Sequence, residues 1–134
     1  MDMMLSKYQP VALSLFRFIT GLLLFQFGIA KILKFPVVPM FANLPPLIQT
    51  AGYIELILGG LLMIGLFTRI VAFILSGEMA FAYFLGHCFK NPAEPQFLPL
   101  LNGGTAAIAF CFACLYLATA GGGPISVDAK MGRS

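Results

Sequence analysis

Four long apolar stretches alternate along the chain with short segments rich in proline, glycine and charge. We interpret them as helices at about residues 11–33, 48–66, 70–87 and 103–120. A helix needs roughly 20 apolar residues to cross a bilayer, and backbone groups in hydrocarbon must be hydrogen-bonded within the segment. The alternation of polarity typical of a barrel strand is absent from these stretches. The pattern therefore predicts an all-α membrane protein, a bundle of four transmembrane helices that forms one domain over residues 1–134.

The composition supports the same class. Of the 134 residues, 60% are hydrophobic and 10% are charged, against about 45–50% and about 25% in average soluble domains. A soluble globule of this size would expose too much apolar surface, and disorder requires low hydrophobicity. The net charge of +3 is scattered, without a Lys/Arg run, so nucleic acid is not an expected partner. The three cysteines lack the spacing of a zinc site, and no metal is expected.

The distribution of Lys and Arg predicts the orientation. Four consecutive spans place both termini on one side of the membrane. That side receives Lys7, Arg17, Arg69, Lys130 and Arg133, and the other side receives Lys31, Lys34 and Lys90. Since Lys and Arg near span ends favour the cytoplasmic side, both termini are expected in the cytoplasm, with the chain in the inner or plasma membrane.

Ionisable residues inside a span are costly, so each is a functional candidate. A rise of 1.5 Å per residue places several polar side chains towards the outer side of the bundle. They are expected to converge in an outward-facing pocket: Gln26, Lys31, Glu55, Glu78, His87 and Asn102. In the alternative interpretation, Lys31 and Glu55 only neutralise each other, and Glu78 bonds to neighbouring helices. Both interpretations stay open at this point.

The opposite end of the bundle is expected to be structural. Arg17 lies about two turns from the cytoplasmic end of the first span, and its long stem can reach towards the headgroups. Gly-Pro at residues 123–124 stops the last helix. We expect the tail to fold back there, with Ser126 and Asp128 as acceptors for Arg17 or Arg69.

Cys111 and Cys114 form a C-x-x-C pair in the middle of the fourth span. A reactive thiolate is favoured at a helix N-terminus, whereas burial among apolar groups leaves a thiol inert. A catalytic pair is therefore not favoured. Cys88, beside His87 at the outer edge, is expected to be the more accessible sulfur.

The sequence resembles the DoxX family of small four-helix membrane proteins, over nearly the whole chain. The shared motifs are Arg17-x-x-x-Gly21, Phe27-Gly28-x-x-Lys31, Gly52-x-x-Glu55-x-x-x-Gly59-Gly60, Gly65-Leu66-Phe67-Thr68-Arg69, Asn102-Gly103-Gly104 and Gly123-Pro124-Ile125-Ser126-Val127-Asp128. The position after Asn-Gly-Gly is often acidic in the family, whereas this chain has Thr105 there. The resemblance implies the four-helix architecture and a link to terminal oxidases, quinone oxidoreductases or thiol proteins.

Two hypotheses for the function fit these sequence features. The first is an accessory subunit of a membrane oxidoreductase, linked to a quinone or to thiols, because carboxylates and a histidine beside an apolar cleft suit proton-coupled quinone chemistry. Such a subunit is expected to lack an intrinsic cofactor, to have no catalysis on its own, and to bind a membrane or membrane-associated protein. The second is a non-catalytic scaffold in the lipid bilayer with no ligand. Homo-oligomerisation is left open, and a solute carrier is disfavoured because no paired broken helices are recognisable.

Overall fold

The computed structural model describes residues 2–34, 45–88, 93 and 95–132, and within these ranges the chain forms helices and no β-strand. The α-helices are α1 (Asp2–Ser6), α2 (Gln9–Gly28), α3 (Pro46–Ile64), α4 (Thr68–Phe81), α5 (Pro99–Asn102), α6 (Thr105–Ala120) and α7 (Val127–Lys130). Two π-helical segments continue them without a break: π1 (Ile29–Leu33) extends α2, and π2 (Ala82–Cys88) extends α4.

Three continuous helices in the described ranges are long and apolar enough to cross a membrane. They comprise Gln9–Leu33, Pro46–Ile64 and Thr68–Leu85, with 25, 19 and 18 residues. Helix α6 is apolar but has only 16 residues. Large apolar side chains cover the outside of the helices, as at Phe73 and Phe81, which are 65% and 70% exposed. The prediction of an all-α membrane protein is confirmed.

Proline and glycine mark the ends of the helices. Pro10 and Pro46 lie in the first turns of α2 and α3, where the fixed φ of proline suits a helix start. Gly65 ends α3 with φ 75° and Gly103 ends α5 with φ 73°, left-handed conformations that glycine adopts without a steric cost. Each of the four long helices, taken with its π-helical extension, therefore begins and ends within about two residues of the apolar stretch that predicted it.

Helices α2 and α3 approach each other at their glycines. A Cβ atom added to Gly21 would lie 2.6 Å from the Met63 nitrogen and 2.9 Å from the Gly59 carbonyl oxygen. One added to Gly28 would collide with the backbone nitrogen of Leu56. These contacts are with backbone, so any side chain at either glycine would push the two helices apart. Small residues permit this close packing in membrane helices, where apolar burial in lipid gives little driving force.

An apolar core fills the middle of the bundle, where α4 packs against both α3 and α6. Its fully buried side chains come from all four long helices and include Leu24, Leu62, Leu75 and Leu117. Polar side chains lie on either side of this layer. One polar group surrounds the junction of α2 and π1, and the other surrounds the loop between α3 and α4. The fold thus separates two polar regions by a layer of leucine.

Candidate functional site

The first polar region contains an ion pair between Lys31 and Glu55. Lys31 lies in π1 and Glu55 in α3, and the Lys31 Nζ atom donates to both carboxylate oxygens of Glu55, at 3.0 and 3.2 Å. The Glu55 side chain is 2% exposed and that of Lys31 is 14% exposed. Gly52, one helical turn before Glu55, leaves room for the Lys31 stem, since a Cβ there would lie 2.9 Å from the Lys31 Cβ. Truncating either partner of such a buried pair leaves an uncompensated charge.

Glu78 joins this pair from α4. Its carboxyl group lies beside that of Glu55 and within the influence of the Lys31 ammonium group. Both Glu78 carboxyl oxygens are buried, and neither has a partner in hydrogen-bonding geometry in the described part of the chain. Two carboxyl groups and one ammonium group therefore share one buried site. We refer to Lys31, Glu55 and Glu78 as the charged cluster.

The two π-helical segments flank the charged cluster. Lys31 is the central residue of π1, and π2 begins at Ala82, one turn after Glu78. A π-helical turn interrupts the regular i to i−4 hydrogen bonding of an α-helix, and such turns occur frequently at functional sites. Here both π-helical segments lie at the end of the bundle that carries the charged cluster.

Gln26 and His87, two further residues of the predicted pocket, are not part of the charged cluster as defined above. Gln26 is exposed on the outside of α2, and His87 is half-buried in π2, nine residues after Glu78. The side chain of Asn102 lies outside the described part of the structure. No group of three or more His, Cys, Asp or Glu residues in the described ranges is arranged to hold a metal ion. Three of the six predicted residues are thus brought together.

The thiols of α6 lie near the cluster but are not bonded to each other. All three cysteines are free thiols. The Ser76 hydroxyl group donates to the Cys111 carbonyl oxygen at 2.8 Å and lies 3.5 Å from the Cys111 Sγ atom. Cys114 is fully buried and Cys111 is partly exposed, whereas Cys88 is 1% exposed. The expectation that Cys88 is the more accessible sulfur is therefore wrong, because the side chain packs with Tyr83 and Ala107.

At the opposite end, the segment after α6 folds back against α2. The Ile125 nitrogen donates to the Ser14 hydroxyl oxygen at 3.0 Å, and that hydroxyl group donates to the Gly122 carbonyl oxygen at 3.3 Å. Arg17 donates through Nη2 to the Ile125 carbonyl oxygen at 2.7 Å. Arg17 is only 4% exposed, so the expectation that its stem reaches towards the headgroups is wrong. The tail carbonyl group and the nearby charge of Asp128 hold the guanidinium inside the protein.

Asp128 binds the start of α4. Its two carboxylate oxygens accept hydrogen bonds from the backbone nitrogens of Phe67 and Thr68, each at 2.8 Å, and its own nitrogen donates to the Gly65 carbonyl oxygen at 2.9 Å. A carboxylate at this place satisfies backbone donors that the helix leaves unpaired and favours the positive end of the helix dipole. Asp128 is therefore an N-terminal cap supplied from a distant part of the chain.

Ser126 and Arg69 have separate partners at this end. The Ser126 hydroxyl oxygen accepts from the Ala129 nitrogen at 3.1 Å and thereby caps α7. Arg69 donates to the carbonyl oxygen of Thr119 and, at 3.5 Å, to that of Ala118, at the C-terminal end of α6. A cation there is favoured by the negative end of the helix dipole. Both residues thus hold helix ends in place.

Two serines that bond to distant parts of the chain, Ser14 and Ser76, were missed by the sequence interpretation. Ser14 lies three residues before Arg17 and hence on the same face of α2, which was a usable signal for a shared partner. Ser76 lies in a long apolar run, and no neighbouring residue in the sequence indicates that its hydroxyl group has a partner. Since serine is common in membrane helices as a packing residue, the sequence alone does not distinguish it from a binding residue.

The helices, the apolar surface and the buried charges define a small helical membrane protein. The family model described as DoxX matches residues 12–88. An uncharacterized protein of Haemophilus influenzae is 38% identical over 129 residues, which cover 94% of this chain and 95% of the relative. No solved structure matches the chain. The chain belongs to the DoxX family, as the motifs predicted.

Proposed function

We propose that the chain crosses the membrane four times, with α6 as the fourth span and both termini on the cytoplasmic side of an inner or plasma membrane. Helix α6 has 16 residues and rises about 24 Å, which is shorter than the roughly 30 Å of hydrocarbon. The segment before it adds apolar length, because Phe97, Leu98, Leu100 and Leu101 expose 55–89% of their surface. The Lys and Arg distribution supports the orientation.

For this membrane protein we further propose an accessory role in a membrane oxidoreductase system, linked to a quinone or to thiols. The observation that carries this proposal is the charged cluster. Buried ionisable groups in membrane helices are rare, and they commonly mark proton or ligand pathways. The partly exposed thiol of Cys111 in α6 is the candidate group for a link to thiols.

The proposal assigns no cofactor to the chain itself. The cluster offers proton-exchanging groups, which quinone chemistry requires, and the electrons would come through a membrane or membrane-associated partner. A quinone is the expected ligand on the lipid side of the cluster. Catalysis therefore belongs to the assembled system and not to this chain alone.

Purification in a mild detergent tests the role. We expect wild-type protein to retain quinone in a solvent extract, together with a partner that carries a coloured redox cofactor. Glu55→Gln should lower the retained quinone several-fold, and Gly77→Ala serves as the control, because a Cβ at Gly77 meets no atom within 4 Å. Equal amounts of quinone in all three preparations, at or below the level of the lipid background, would contradict the proposal.

A scaffold without a ligand is the second candidate function. Two observations favour it. The Lys31 side chain covers Glu55 directly. Surface cavities also open beside the tail, and they are lined by Pro124, Ser126 and Ala129. A scaffold would co-purify with its partner without quinone. It would also tolerate Glu78→Gln, provided that the helices still pack.

A further inference from the structure

The charged cluster contains more acid than base. The Lys31 Nζ atom donates a hydrogen bond to each of the two carboxylate oxygens of Glu55. Glu78 adds a second carboxyl group, and among the described residues the charged groups that act on it are Glu55 and Lys31. With both acids ionised, the cluster would carry one uncompensated negative charge in an apolar environment. A buried charge of this kind is strongly disfavoured unless it is paired or neutralised.

The two carboxyl groups are not equivalent. Glu55 accepts charge-assisted hydrogen bonds from the Lys31 ammonium group on both of its oxygens. Glu78 has buried oxygens without a donor, and the Glu55 carboxylate beside it has the same sign. A carboxylate in this position would lose its hydration without gaining hydrogen bonds. A proton on the Glu55–Glu78 pair removes the excess charge and supplies the missing donor between the two groups.

We propose that Glu55 and Glu78 together bind one exchangeable proton, held within the bundle beside Lys31. The proton resides on Glu78 and is shared with Glu55. The groups that face the site are Lys31 from π1, Glu55 from α3 and the thiol of Cys114 from α6. Its use rests on the proposed function, since a quinone exchanges protons whenever it is reduced or oxidised.

The structure also provides for proton exchange with the surroundings. Lys31 is 14% exposed while Glu55 is 2% exposed, so the ammonium group is the member of the pair closer to the surface. The π-helical turns on both sides disturb regular helix packing at this end of the bundle. Towards the tail, the fully buried side chains of Leu24, Leu62, Leu75 and Leu117 form an apolar layer between the cluster and the opposite end of the bundle. Protons therefore enter and leave at the end that carries Lys31.

Infrared spectroscopy of the purified chain in lipid vesicles tests this binding site. A protonated carboxyl group has a carbonyl stretch that is separated from carboxylate and amide bands and shifts in heavy water. At neutral pH, we expect the difference spectrum of wild type minus Glu78→Gln to contain one such band, equivalent to one group per chain. Lys31→Met should raise the band about two-fold, because both acids then need a proton.

Reaction with a hydrophobic carbodiimide gives a second measurement, since this reagent modifies protonated carboxyl groups in apolar surroundings. Peptide mass analysis should locate the adduct at Glu78 in the wild type and in Gly77→Ala. Absence of both the band and the adduct in folded wild-type protein would overturn the proposal. Neither assay needs quinone or a partner, so a positive result without retained quinone would reject the proposed function and leave the proton site standing.

Discussion

Removal of the Asp128 carboxylate should break the contact between the tail and α4 and thereby destabilise the protein. The two backbone nitrogens that it binds, at 2.8 Å each, belong to Phe67 and Thr68, and Thr68 is fully buried. Hydrogen bonds to a charged group contribute about 1.5–3 kcal/mol each, and loss of an ordinary N-cap costs about 0.5–2 kcal/mol. Since water will reach part of the exposed start of α4, we expect Asp128→Ala to cost about 3 kcal/mol. Asp128→Asn retains one acceptor and should cost about half as much.

The assay is equilibrium unfolding in mixed micelles, with helix content followed as the fraction of denaturing detergent rises. Lys130→Ala is the matched control, because Lys130 lies in the same short helix α7 and its side chain is exposed. The control should unfold at the same detergent fraction as the wild type. If Asp128→Ala unfolds together with Lys130→Ala, the carboxylate does not hold α4, and the capping role assigned to it is wrong.

Two further predictions concern the opposite ends of the bundle. Gly65→Ala should destabilise the protein by about 1–3 kcal/mol, because Gly65 has φ 75° and an added Cβ would collide with the Arg17 guanidinium group. The control Gly77→Ala should unfold no earlier than the wild type, since alanine favours a helix. Glu55→Gln and Lys31→Met should each destabilise the bundle, while the double variant costs less than the sum, which a double-mutant cycle detects as coupling. Additive costs would contradict the ion pair.

The helices could be predicted because the lipid environment leaves few alternatives. Apolar runs of sufficient length must form helices, and prolines and glycines mark the boundaries, as at Pro46 and Gly65. The π-helical segments could not be predicted. Their hydrogen bonding differs from that of an α-helix by one residue and depends on contacts between helices, which apolar composition does not encode.

The site was predicted in part because depth along a helix is easier to infer than direction around it. Lys31 and Glu55 were placed at the same level by the 1.5 Å rise, and they are bonded in the structure. Gln26 was placed more than one turn deeper, and five residues at 100° each put it about 140° around the helix from Lys31. It is accordingly exposed. The position of Glu78 beside Glu55 required the packing of α4 against α3, which no local pattern gives.

The hydrogen bonds of the tail were not predicted correctly, for a different reason. Acceptors for Arg17 or Arg69 were expected from Ser126 and Asp128, whereas Arg17 bonds to the backbone of Ile125 and Asp128 bonds to the start of α4. Backbone donors and acceptors are present at every residue, so a charge pattern overlooks them. The pairing of side chain with backbone at helix ends therefore has to be read from the structure.

The most direct test of the functional role is the rate at which isolated membranes reduce an added short-chain quinone. Membranes come from cells that lack the chain and from the same cells supplied with wild type, Glu78→Gln or Gly77→Ala at equal levels, and the electron donors include a thiol. If the charged cluster serves an oxidoreductase system, the rate falls without the chain, is restored by wild type and Gly77→Ala, and stays low with Glu78→Gln. Equal rates in all four membranes would contradict the role.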